Sequence, residues 1–228
     1  MKDPKRVFVC IVLHHSDELR PQGGEAAVKF INAWRKHSMP YSLVVVDNAS
    51  TYNFKCLSEV DHHFIRVDDQ SKTGITGAWN LAIKFAYDQG AEIITGFSDD
   101  VEVDDTFHAF IDAIQDDNTI YGPLSTAPTF VTEQTSRKIR PGYTVDVKVL
   151  HGFWLGFTRG FFETKHVEWS LFDTSVQNTT RKVGRWGGQE YMMEVWKRKH
   201  QTVCRVVGDC LLHHSRINAW SKAHRKYE

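Results

Sequence analysis

The sequence has 228 residues, 41% of them hydrophobic, enough for a sizeable core in one large domain or two small ones. Its 28 basic and 28 acidic residues balance, which argues against nucleic-acid binding by general electrostatics, since such domains are usually strongly basic. The apolar run near the start, Val7 to Leu13, is too short to span a bilayer, and no small-residue cleavage site follows it. No later stretch reaches transmembrane length, so neither a membrane span nor a signal peptide is expected. Cys10, Cys204 and Cys210 lie in apolar, strand-like stretches, and no cysteine pair has C-x-x-C spacing. Buried free thiols in a reducing, cytoplasmic compartment are the expectation.

In chain order, "RVFVCIVL" reads as a buried strand. "EAAVKFINAWRKH" follows as a helix with Ala27, Phe30, Ile31 and Trp34 on one face. "YSLVVVD" is a second buried strand and "HHFIRVDD" a short third. "GAWNLAIKFAYDQG" predicts a helix that turns Ala78, Leu81, Ala82 and Phe85 inward and stops at Gly90. "AEIITGFS" is the next strand, and "DTFHAFIDAIQDD" a helix through Phe107, Phe110, Ile111 and Ile114. This βαβα order with near-continuous apolar strands implies a parallel sheet covered on both faces. Residues 121–150 read as loops and antiparallel strands, among them "YTVDVKVL". "GGQEYMMEVWKRKH" is a helix, "TVCRVVGDCLLHH" a late strand, and "RINAWSKAHRKYE" a basic helix. No linker divides the chain.

Ligands of open α/β sheets bind beyond the carboxyl ends of the strands. That rule selects "HHSDE" after the first strand, "DNAS" after the second, "SKTGITG" before the second long helix and "SDD" after the fourth. Asp47 either caps the turn with Asn48 and Ser50 or accepts a hydrogen bond from a nucleobase or ribose, because an ionised carboxylate only accepts. Gly74 and Gly77 enter a helix where backbone amides approach a phosphate. The segment is neither a P-loop nor a dinucleotide fingerprint. In "GFSDDVEVDD" five carboxylates fall within seven positions, and a divalent cation or a solvated, helix-capping turn each accounts for them. Glu102, Asp104 and Asp105 suit the solvated, capping role.

Taken together, "VVVDNAS", "TGITGAWNLAIKFA", "FSDDVEV", "HGFWLGFTRGFFE", "WGGQEYMMEVWKRKH" and "CLLHHS" resemble, in that order, a nucleotide-sugar glycosyltransferase of the GT-A fold, near family 2. The resemblance covers roughly residues 5 to 216. It implies an α/β, Rossmann-like, mostly parallel central sheet with helices on both faces and a small antiparallel acceptor-side portion. One domain over 1–228 is expected, with a nucleotide-sugar-binding half (1–120) and an acceptor-side half (121–228).

The resemblance also implies roles. His14, His15, Asp47, Asn48, Thr73, Gly74, Asn80 and Asp99 would contact the nucleotide sugar. Asp100, with His213 or His214, would ligate Mn2+ or Mg2+. Glu190 would be the base that takes the proton of an acceptor hydroxyl, with Trp186 as a platform for a sugar ring or a core residue. The donor would be a UDP- or dTDP-sugar rather than a GDP-sugar, the acceptor a glycan or other hydroxyl compound, with no nucleic-acid partner. Two positions depart from the family pattern. The acid motif reads Ser98-Asp99-Asp100, like the N-N-D form of rhamnosyltransferase-like members, and the family's E-D pair reads Gln189-Glu190. These departures keep open a non-catalytic nucleotide-sugar or glycan-binding module. A nucleotidyltransferase fits less well, because no glycine-rich basic loop follows the first strand.

Overall fold

The computed structural model describes residues 3–17, 20–51, 53–66, 70–126, 134, 139–175 and 188–214. The basic helix expected after residue 214, and Trp186, lie outside them. The strands are β1 (Val7–Leu13), β2 (Ser42–Asn48), β3 (His62–Arg66), β4 (Ile93–Ser98), β5 (Val101–Glu102), β6 (Thr119–Ser125), β7 (Val145–Val147), β8 (Trp154–Thr158) and β9 (Val203–His214). The helices are α1 (Gly23–Lys36), α2 (Gln70–Asp88), α3 (Phe107–Ala113), α4 (Arg159–Lys165) and α5 (Gly188–His200).

The strands form one sheet in the order β3-β2-β1-β4-β8-β6-β9-β5, with β7 also pairing with β9. β3, β2, β1 and β4 are mutually parallel, as the alternation of apolar runs and helices predicts. Every residue of β1 is buried, because helices cover both faces of the sheet. β8 then enters antiparallel to both β4 and β6. β6 runs parallel to β9, and β5 and β7 lie antiparallel to β9. The sheet is therefore continuous through both halves of the sequence.

Two apolar layers flank it. On one side Phe30 and Trp34 of α1 meet Phe107 of α3 and Trp154 of β8 in a cluster of tilted and edge-on rings. On the other, α2 and α5 pack Ala82, Ile83, Met193 and Trp196 against the strands. Burial pushes the thiols of Cys204 and Cys210 up to about 11 and about 12, and that of Cys10 higher still, so all three are inert apolar groups.

Two expectations need correction. α1 buries Ala27, Phe30, Ile31 and Trp34 as its periodicity predicts, but α2 is rotated from its predicted face. Leu81 is 40% exposed, while Trp79, Asn80, Ile83 and Ala86 turn inward beside Ala78 and Ala82. The helix serves two neighbours at once. It covers the sheet and also receives the 171–172 segment, where the ring of Trp79 lies 5.9 Å from that of Phe172. The second correction is β6, a fully buried strand that begins at Thr119 and runs parallel to β9, where 121–150 was expected to hold loops and antiparallel strands; its pairing with β8 and that of β7 with β9 are antiparallel as expected. Pro123 disguises it. The register against β9 shifts between Pro123 and Leu124, an irregularity of the kind at which a sheet accommodates proline.

Asn80 joins the halves. Its Nδ2 donates to the carbonyl of Phe172 at 2.7 Å, and its Oδ1 accepts from the amides of Leu171 and Phe172 at 3.1 and 3.0 Å. Removing it leaves three buried backbone groups to repair. Asn80→Ala should lower stability by about 2–4 kcal/mol, read from the midpoint of urea unfolding. A change below about 0.5 kcal/mol would mean that water replaces the amide at no cost.

Candidate active site

The parallel strands deliver their carboxyl ends to one edge of the sheet. Asp47 lies beside Leu13, and Ser98 beside Val12, on the two sides of β1. β2 and β4 are thus two strand spacings apart, about 10 Å. β9 arrives from the far end of the sheet, and its last two residues pair with β5, His213 opposite Glu102 and His214 opposite Val101. Backbone register thereby brings the late histidines directly beside the acidic run, whose Asp100 precedes Val101.

The two aspartates of that run are not equivalent. Asp99 is 2% exposed and is held by Arg20, which is 4% exposed. The guanidinium donates through both terminal nitrogens to the two carboxylate oxygens, at 2.5 and 2.8 Å. One of those nitrogens also donates to the His14 carbonyl at 2.9 Å. Burial pushes the Asp99 carboxyl above its ordinary value, and the guanidinium pulls the other way. The bidentate geometry is that of an ion pair. Asp100, 6% exposed, accepts a hydrogen bond from the Ser98 hydroxyl.

Around this pair the loops are fixed by side chain to backbone bonds. His14 Nδ1 donates to the Asn48 carbonyl at 3.0 Å, and burial lowers the imidazole's proton affinity. His15 Nδ1 accepts from the Gly24 amide at 3.1 Å, so its ring caps the N-terminus of α1, and its Nε2 bonds Asp17 at 3.1 Å. Gly23 makes that approach possible, because a Cβ there would lie 2.0 Å from the His14 carbonyl oxygen. Asp47 Oδ1 accepts from the Ser50 amide at 3.1 Å, the turn-capping bond considered above. Asn48 Oδ1 accepts from Arg66 at 3.1 Å, and the same guanidinium nitrogen donates to the Gly74 carbonyl at 2.7 Å. Gly74 has φ 47° and ψ −148°, a conformation for glycine alone, and it kinks α2 at the crevice.

Thr73 sits in the first turns of α2, and its side chain is outside the described set, as is that of His214. His213 is exposed, with Nδ1 2.7 Å from the Thr126 hydroxyl. Glu190, in the first turn of α5 and 8% exposed, accepts from the Gly152 amide at 2.9 Å. Asn80, expected at the nucleotide, spends its amide on Leu171 and Phe172 as described. Among the described residues no three metal-ligating side chains form a cluster. What places Asp100 near the positions of His213 and His214 is the backbone register of β5 with β9.

Arg20 and Arg66 were missed by sequence reasoning. Arg66 had a weak signal, a cation ending an apolar strand. Arg20 had none, since its partner is 79 residues away.

No protein-family model matches the sequence, and no match was found among curated proteins. Solved structures do match. One, GalNAc-T7 with UDP, GalNAc and Mn2+, superposes with a TM-score of 0.67 at 14% identity over 95% of this chain. Another, the mannosyltransferase PcManGT from Pyrobaculum calidifontis with GDP-Man and Mn2+, gives 0.61 at 12% identity, again over 95%. The fold is of the GT-A type. The chain spans 44% of the first neighbour and 61% of the second. No helix among the described residues is long and apolar enough to cross a membrane.

The ion pair makes a measurable claim. Arg20→Ala strands a buried carboxylate and should cost about 3–5 kcal/mol. Arg20→Ala with Asp99→Ala should cost less than the sum of the single changes, by about 1–3 kcal/mol. Strict additivity in urea titrations would show that the contact carries no energy.

Proposed function

We propose that the chain is a glycosyltransferase that moves a sugar from a nucleoside-diphosphate sugar to an acceptor hydroxyl with inversion. The observation that carries the reading is the convergence at one sheet edge. Asp47, the Ser98–Asp100 run and the end of β9 meet there, in a fold shared with two structures that hold a nucleotide or nucleotide sugar with Mn2+. A UDP- or dTDP-sugar is the proposed donor in preference to a GDP-sugar.

Asp47 accepts from the base or a ribose hydroxyl through its carboxylate, with Asn48, His14 and His15 fixing the loops around it. The kink at Gly74, with Thr73 before it, shapes the crevice on the side of α2. Asp99 acts through Arg20, holding the acidic loop to the His14 carbonyl. Asp100 and one of His213 and His214 would hold Mn2+ or Mg2+. When bound, such an ion neutralises the diphosphate and stabilises it as a leaving group.

Glu190 takes the proton of the acceptor hydroxyl while that oxygen bonds to the anomeric carbon. The bond from that carbon to the diphosphate oxygen breaks on the opposite side, and one displacement inverts the configuration. The Gly152 amide on Oε1 holds the carboxylate in place for this.

A thermal-shift screen of UDP, dTDP, CDP and GDP, with and without Mn2+, tests the first half of the reading. UDP or dTDP should stabilise the protein most, and only with the metal. Asp100→Ala should lose the Mn2+-dependent increment without a large loss of intrinsic stability. An undiminished increment in that variant would rule out Asp100 as the ligand.

Glu190→Gln tests the second half. Donor binding should survive, transfer should fall by about 10²–10⁴-fold, and the pH–rate profile should lose its acidic limb. Near-normal transfer would move the base elsewhere, with Asp173 the next candidate. Donor binding by wild type without transfer to any acceptor would favour the non-catalytic module.

A further inference from the structure

A second cavity lies behind α5, away from the strand ends. It is a cleft of about 670 Å³ between α5 and the segment that follows α4. Lys165, Arg198, Lys199 and His200 line it, and Glu168 and Asp173 are its only acidic lining residues among those described. Leu171, Phe172 and Trp196 give it an apolar and aromatic wall, and Tyr191, 41% exposed, lies at the α5 end beside Glu190.

Lys165 makes this cleft unusual. Its side chain is buried, with the residue 7% exposed, yet no carboxylate lies within ion-pair distance among the described residues. The ammonium donates to Asn118 Oδ1 at 2.9 Å and faces the Phe161 ring at 5.6 Å. Asn118 is itself fixed by the carbonyls of His200 and Gln201 at 3.1 and 3.3 Å, so the cation is held against the C-terminal end of α5. Burial lowers its proton affinity, the expected response of a cation without a counter-ion. The cations in the last turn of α5 are accounted for by the helix dipole. Lys165 also lies in a last turn, that of α4, but unlike the exposed Arg198, Lys199 and His200 it is buried.

We propose that this cleft binds an acidic carbohydrate, with a carboxylate or sulfate of the sugar as the counter-ion of Lys165. Arg198 and Lys199 add charge at the exposed rim. The exposed ring of Tyr191 suits the apolar face of a pyranose, and Glu168, Asp173 and Ser170 accept from sugar hydroxyls. As an acceptor the ligand would run from the cleft round the first turn of α5, which carries both Tyr191 and Glu190 on different faces. That assignment rests on the transferase reading above, whereas binding in the cleft does not.

Calorimetry on the full chain without nucleotide tests the proposal. The probes are hyaluronan, chondroitin sulfate and heparin tetrasaccharides, neutral chitotetraose, and an eight-residue oligo-dT. At least one acidic tetrasaccharide should bind about tenfold or more tighter than the neutral one, and more weakly as salt rises. Lys165→Met and, as a surface variant, Lys199→Ala should each weaken that binding by about tenfold or more. Both should retain the thermal shift given by UDP with Mn2+. The proposal is overturned if no acidic tetrasaccharide binds. It is equally overturned by equal binding of chitotetraose, by tighter binding of oligo-dT, or by wild-type affinity in both variants. If UDP with Mn2+ gives no shift in the wild type while the acidic tetrasaccharide binds, the transferase reading fails and the cleft stands.

Discussion

A carboxylate at the end of a buried parallel strand must be matched by something. In this protein the match for Asp99 is a cation from a different loop. Arg20 holds both oxygens of Asp99 and the carbonyl of His14 together, so the ends of β1 and β4 cannot separate without exposing a charge. The pair divides the labour of two adjacent aspartates. Asp99 is committed to the scaffold, and Asp100 is the carboxylate left to the proposed chemistry. Whatever net stability the pair contributes, its geometry fixes where the neighbouring carboxylate lies, and ligand binding depends on such prior placement.

The same logic recurs around the crevice. Arg66 bonds the Asn48 side chain and the Gly74 carbonyl, locking the end of β2 to the kink of α2. His15 links the end of β1 to the start of α1. Asn80 locks the far side of α2 to the segment that borders the second cleft. Each tie uses a buried polar side chain to satisfy backbone groups that a loop would otherwise leave to water. The crevice and the cleft behind α5 are thereby built on one connected frame, with Glu190 and Tyr191 side by side in the helix between them.

Much of this was legible in the sequence, for identifiable reasons. β1, β2 and β4 are apolar without interruption, so their existence and their carboxyl ends could be read, and with them the positions of Asp47 and Asp100. α1 has a single burial face and its periodicity gave it correctly. α2 has two, and Leu81 was placed inward because a one-face model assigns it there. β6 carries Gly122 and Pro123, residues that ordinarily mark a turn; here Gly122 packs against Gln134 and Leu150 where a Cβ has little room, and Pro123 precedes the register shift with β9. Long-range pairings had no local signature at all. Nothing near Arg20 points to Asp99, and nothing in the late apolar strand says that its end will lie beside Val101 and Glu102.

That last pairing bears on how the protein is made. β6 is bordered on one side by β9, and the short strand after Asp100 has β9 as its partner. During synthesis the first four parallel strands and their helices leave the ribosome well before residues 203–214 do. Until then β6 presents an open edge in the middle of the future sheet, and the acidic segment has nothing to pair with. A nascent chain therefore passes through a stage with most of its core available but its proposed metal site unassembled. The order of emergence makes that site one of the last parts to form, and it leaves the incomplete chain dependent on protection of an apolar strand edge until the late strand arrives.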